Sequence, residues 1–173
     1  LYKGLKDYYE KLDLVNFCDV ADIIFNQFTG KYPSIFTHAI ETDFVSFVVE
    51  IFLGEETEFT PKIINLLVGL FNSPDTSMTS YILMFDGFPE QLTKFLSSGN
   101  TEIQGNSLTI LGSLAYDCKK LNIELPLELD FDALFSIPLT FPELTELTLR
   151  TIGYIISINI LMDIISFSFI FIE

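Results

Sequence analysis

A short motif recurs along the chain at intervals of 41 to 44 residues, and this repetition constrains the fold more than any other feature. Residues 57–59 (TEF) reappear as residues 101–103 (TEI), and residues 143–144 (EL) continue the series. Such periods are typical of helical repeat arrays, in which each unit buries its apolar faces against its neighbours. The repetition therefore predicts an all-α array. The alternative is a bundle of helical hairpins with the same periodicity.

One complete unit spans residues 82–118 and is predicted to hold three helices. In residues 88–96, apolar side chains recur every three or four positions, which is the spacing of a helix that buries one face. Pro89 falls in the first turn of this helix, where its missing amide hydrogen costs nothing. The polar turn at residues 97–100 ends the helix. We predict that Thr101 then caps a longer third helix, after a first helix around residues 82–85.

The rest of the chain contains weaker copies of this unit, so we predict a single array over residues 1–173. A short entry helix within residues 1–13 leads into it, and the two cysteines, Cys18 and Cys118, are expected to be buried thiols. The turn before the last long helix is expected between Pro138 and Pro142. The predicted divisions are a partial repeat at residues 14–40, repeats at about 35–73, 79–118 and 130–158, and an apolar tail at 159–173.

The final stretch, residues 155–172, is apolar except for Asp163 and reaches the lower length limit of a membrane span. A carboxylate at the centre of a bilayer would cost about 2.5–3.5 kcal/mol. We therefore expect a buried helix followed by a strand-forming or frayed end, without membrane insertion. The alternatives are a tail anchor and an array whose next repeat is missing, which would leave apolar surface exposed.

The net charge of −15 excludes nucleic acid as a partner, because nucleic-acid binding requires a basic surface. Acidity instead favours a protein or peptide partner, such as a Lys/Arg-rich segment, although it also serves simply to keep an apolar-rich chain in solution. Two widely separated cysteines without metal-type spacing indicate a reduced, cytoplasmic protein.

The chain lacks the residues that an enzyme needs. His38 is the only histidine, and neither a nucleophile motif nor a phosphate-binding glycine loop accompanies it. We therefore expect neither catalysis nor a cofactor.

The unit resembles the armadillo repeat, through FDGFPEQLTKFL, the SSGNTEIQ turn and NSLTILGSLAYDC. The subfamily it most resembles is importin alpha, through YPSIFTHAIETDFVSFVVEIFLGEET, TPKIINLLVGLFNSPDTSMTSYILMFDGFPEQL and LGSLAYD. This resemblance implies a right-handed superhelical armadillo/HEAT-like solenoid of about three to four repeats whose third helices line a concave groove. It also implies the role of a nuclear import adaptor, so the nucleus is expected as a second location beside the cytoplasm.

In importin alpha a ladder of Trp and Asn side chains lines that groove, whereas this chain contains no Trp. By resemblance, Asp117 would meet a lysine of the bound segment. Arg150 would repel such a segment and would suit a carboxylate or phosphate instead. The alternatives to peptide binding are an architectural module inside a larger assembly and a membrane-anchored scaffold. The residues that stand at the groove positions are Asn65, Gly69, Thr109, Ser113, Asp117, Arg150 and Tyr154.

Overall fold

The structure, a computed structural model, describes residues 1–30, 32–74, 76–126 and 129–170, with side chains as far as residue 158. These residues form helices and contain no strand, which confirms the prediction of an all-α fold. A 3-10 turn precedes the last helix at Pro142–Leu144. The α-helices are α1 (Tyr2–Glu10), α2 (Leu14–Thr29), α3 (Pro33–Glu41), α4 (Phe44–Phe52), α5 (Thr60–Phe71), α6 (Ser77–Ile82), α7 (Phe88–Leu96), α8 (Thr101–Leu121), α9 (Phe131–Thr140) and α10 (Thr145–Ile170).

Four helices pack in series and form the spine of the fold. α2 packs against α5, α5 against α8, and α8 against α10. A shorter helix lies against each of them: α1 on α2, α4 on α5, α7 on α8 and α9 on α10. Triplets of helices therefore recur, with α3, α4 and α5 followed by α6, α7 and α8.

The apolar face predicted for residues 88–96 is the face that α7 buries. Phe88, Leu92 and Phe95 are buried, and Pro89 lies in the first turn of the helix, as predicted. The Phe52 ring of α4 packs against two of these side chains, with centroid distances of 4.9 Å to Phe88 and 5.3 Å to Phe95. Consecutive triplets therefore share one aromatic core, which excludes water from both.

The first helix of the central unit lies earlier than predicted. α6 occupies Ser77–Ile82, whereas the helix was expected around residues 82–85. Beyond Ile82 the chain tightens, since the amides of Met84 and Phe85 donate to carbonyls three residues back, at 3.2 and 3.1 Å. This tightening leads into Gly87, whose φ of 83° lies in the left-handed region that glycine adopts readily.

The N-cap of α8 is Asn100 and not the predicted Thr101. The Asn100 side-chain oxygen accepts from the amides of Glu102 and Ile103, at 2.9 and 3.3 Å. We expect Asn100→Ala to lower the free energy of unfolding by about 1 kcal/mol, because two first-turn amides lose their acceptor. Thr101→Ala is the matched control and should change it by less than about 0.5 kcal/mol. Chemical denaturation of both variants measures the difference, and an equal loss in both would contradict this assignment.

The C-terminal region differs from its prediction in two ways. Pro138 lies inside the last turn of α9 and does not border the turn that follows. α10 continues to Ile170, so the expected strand-forming end is wrong for the described residues, because extending an existing helix costs less than starting a new element. The side chains of the predicted tail, residues 159–173, lie outside the described residues. No helix within the described ranges has both the length and the hydrophobicity needed to cross a bilayer.

The two cysteines have different environments. Cys118 is buried, and burial raises the pKa of its thiol to about 11. Cys18 is only half-buried, so the prediction of two buried thiols is wrong for this residue. It lies close enough to the Lys62–Asp22 ion pair (2.8 Å), which joins α5 to α2, for both charges to affect its pKa, which burial raises.

Candidate functional site

Four of the seven predicted groove residues lie together in one cavity of about 350 Å³ between α8 and α10. Thr109 and Ser113 come from α8, and Arg150 and Tyr154 come from α10. We call this cavity the α8–α10 groove. It is also lined by Leu108, Gly112, Tyr116, Leu147 and Thr151.

Small residues bring the two helices close together at the floor of the groove. A Cβ atom at Gly112 would lie 3.2 Å from the Thr151 hydroxyl oxygen, so a larger residue there would push α10 away from α8. The same hydroxyl donates to the backbone carbonyl of Leu108 at 3.3 Å, which links the helices directly. The groove walls are therefore held by helix packing and do not depend on loops.

Two tyrosines form the aromatic part of the groove. The rings of Tyr116 and Tyr154 meet edge to face, with centroids 6.0 Å apart, and both side chains are exposed. The Lys120 ammonium lies 4.4 Å from the centroid of the Tyr116 ring, a cation–π contact that positions its charge. Sequence reasoning missed Tyr116 and Lys120. The available signal was their position on α8, since Tyr116 follows Ser113 by three residues and Lys120 follows Tyr116 by four.

Several polar groups of the groove have unused hydrogen-bonding capacity. Arg150 approaches Glu146 at 3.7 Å, which is too long for a hydrogen bond. Within the described part of the chain, no group forms a hydrogen bond with the hydroxyl of Ser113, Tyr116 or Tyr154. The Thr109 hydroxyl already donates to the Gly105 carbonyl at 3.0 Å and retains only its acceptor capacity. The groove therefore offers a ligand the donors of Arg150 together with hydroxyls that can donate or accept.

The other three predicted residues do not lie in this groove. Gly69 is buried against α2, where a Cβ atom would lie 3.1 Å from both Phe25 and Phe28. Asp117 is only 8% exposed and accepts a hydrogen bond from the Thr79 hydroxyl of α6, so it faces the interior and does not face a ligand. Asn65 is half-buried on α5, outside the α8–α10 groove.

A larger cavity of about 780 Å³ lies between α1, α3 and α4 and contains none of the predicted groove residues. The Tyr2 ring stacks between Phe44 and His38, with centroid distances of 4.1 and 5.7 Å, and burial raises the pKa of Tyr2. His38 thus takes part in an aromatic stack. Lys3 and Lys6 lie at the rim of this cavity.

The described residues contain no group of three or more His, Cys, Asp and Glu side chains that could hold a metal ion. Comparison with protein-family models, with curated proteins and with solved structures found no match in any of the three.

Proposed function

We propose that the chain is an armadillo-type solenoid of three to four repeats that binds an extended segment of a partner protein in the α8–α10 groove. The observation that carries this proposal is the set of unpartnered donors beside an aromatic pair, between two long helices that pack together. The series of α2, α5, α8 and α10 supports the solenoid, because third helices of consecutive armadillo repeats stack in this order.

An extended segment suits the chemistry of this groove. Each of its residues presents a backbone carbonyl, and the hydroxyls of Ser113 and Tyr154 can donate to such acceptors. The faces of Tyr116 and Tyr154 offer apolar surface to the side chains between them. The larger cavity beside α1 is a weaker candidate, because none of the predicted groove residues lines it.

The proposed binding is confined to the C-terminal half of the described structure. Gly69 and Asp117 are buried, so the predicted groove positions do not form a continuous exposed row from α5 to α10. The proposal takes from importin alpha the mode of binding on third helices. Recognition of a lysine by Asp117 is not part of it, because that carboxylate already accepts from Thr79.

Filling the groove tests its location. We expect Ser113→Trp to abolish peptide binding, because Ser113 is half-buried at the cavity wall and the indole would occupy much of the cavity. Random dodecapeptides displayed on phage are first selected on the immobilised wild-type chain. The affinities of the recovered peptides are then measured for the wild type and for Ser113→Trp.

The matched control is Ser80→Trp, which adds the same ring at an exposed position of α6. Peptides recovered on the wild-type chain should bind this control with unchanged affinity. Circular dichroism should show equal helix content in all three proteins. Recovered peptides that bind Ser113→Trp as tightly as the wild type would overturn the proposal, as would a selection that yields no peptide.

A further inference from the structure

We infer that the segment bound in the α8–α10 groove is acidic, with an Asp or Glu carboxylate held by Arg150 and a neighbouring carboxylate held by Lys120. This inference rests on the proposed function and names its partner class. It replaces, for this groove, the expectation of a Lys/Arg-rich partner that the overall charge suggested.

Charge in the protein is distributed unevenly around this groove. The chain has nine basic and 24 acidic residues, yet Arg150 lines the groove with Tyr154, Lys120 lies over the Tyr116 ring, and the neighbouring Lys119 contacts Ser157 of α10. Arg150 is the one charged residue among the described residues that line the groove, so none of them is a carboxylate. A strongly acidic protein therefore presents a local cationic surface here.

Distance decides which charge a bound segment experiences. At physiological ionic strength, exposed charges are screened over about 8 Å, so acidic residues on the surface other than Glu146, which contacts Arg150, act weakly in the groove. Arg150 and Lys120 act at contact distance instead. A lysine placed between them would lose its hydration while facing like charge, whereas a carboxylate would gain charge-assisted hydrogen bonds.

Arg150 is available to such a carboxylate. Its side chain is 57% exposed, and its contact with Glu146 is a long pair between neighbouring turns of one helix, with Glu146 itself 92% exposed. Exposed pairs of this kind contribute little to stability, so a ligand can displace Glu146 at small cost. The guanidinium can then form two parallel hydrogen bonds with one carboxylate, a geometry that its contact with Glu146 does not provide.

The lysines support this arrangement in a different way. Lys120 is positioned by the Tyr116 ring at 4.4 Å, and the Lys119 ammonium donates to the Ser157 hydroxyl at 3.3 Å. Both lie in the last turn of α8, where cations also stabilise the helix end. Arg150 is the sixth residue of α10, past its first turn and remote from its C-terminal end, so it does not stabilise a helix end in this way. Arg150 is therefore the residue whose replacement distinguishes ligand binding from helix stability.

The test uses fluorescein-labelled decapeptides composed of Glu, Leu and Ser, with counterparts in which Gln, Lys or phosphoserine replaces every Glu. Fluorescence polarisation measures their affinities for the full chain at about 0.15 M salt. We expect the Glu peptide to bind, and at least tenfold more tightly than the Gln and Lys peptides. Arg150→Gln should weaken the Glu peptide about tenfold or more, because a charge-assisted pair is lost.

Lys94→Gln provides the control, since it removes the same charge from an exposed position of α7 outside the groove. Its affinity for the Glu peptide should equal that of the wild type. Equal affinities of the Glu and Gln peptides, or tighter binding of the Lys peptide, would overturn the acidic partner, and tighter binding of the phosphoserine peptide would overturn the carboxylate as the group that is bound. Absence of binding by all four peptides would overturn it as well. The groove itself is judged separately by Ser113→Trp and the recovered library peptides.

Discussion

Phe52→Ala is expected to lower the free energy of unfolding by about 3–5 kcal/mol, the range typical of removing a buried phenylalanine ring. The ring is 1% exposed and lies between α4 and α7, where it contacts Phe88 and Phe95. Its removal would leave a cavity at the point where two helix triplets meet. Chemical denaturation followed by helical circular dichroism measures the loss.

Phe135→Ala removes the same ring from α9, where the side chain is 52% exposed. This control should change the free energy of unfolding by no more than about 0.5 kcal/mol, because little buried surface is lost. A similar effect of the two substitutions would mean that the triplets do not share a core at Phe52.

Gly69→Leu is expected to destabilise the protein by about 1–3 kcal/mol or more, through overpacking. A Cβ atom at this position already lies 3.1 Å from Phe25 and Phe28, and the remaining leucine atoms would separate α5 from α2. The loss should appear in thermal or chemical denaturation as a lower midpoint.

The matched substitution is Gly153→Leu in α10, where a Cβ atom would have no heavy atom within 4 Å. Leucine favours the helical conformation more than glycine does, so this variant should be stabilised by up to about 0.8 kcal/mol. A lower free energy of unfolding for Gly69→Leu together with a higher one for Gly153→Leu would show that α2 and α5 are in direct contact at Gly69. Stabilisation by both substitutions would rule out that contact.

Local features of the fold could be predicted from the sequence because they depend on neighbouring residues. Helix periodicity in residues 88–96 and the first-turn Pro89 both have this character, and both appear in the structure. The cap of α8 was placed one residue late because Asn100 and Thr101 are both good caps. Only the backbone conformation shows which of the two side-chain oxygens accepts from the first-turn amides of α8.

The candidate site was predictable in part, for a geometric reason. Thr109 and Arg150, like Ser113 and Tyr154, are separated by the same 41 residues, so similar turns of consecutive long helices bring them together. Asp117 could not be placed this way, because the side of a helix that faces solvent depends on how its neighbours cross it. At that turn of α8, the Thr79 hydroxyl of α6 donates to the carboxylate.

The serial packing of α2, α5, α8 and α10 has a consequence for how the chain acquires its structure. Its most closely packed helices are separated by about one unit of sequence, so each contact closes only a short loop. Topologies of this kind fold quickly, because little chain entropy is lost before contacts form. Their stability is shared between neighbours, so a terminal unit can open and close while the centre keeps its amide protons protected from exchange.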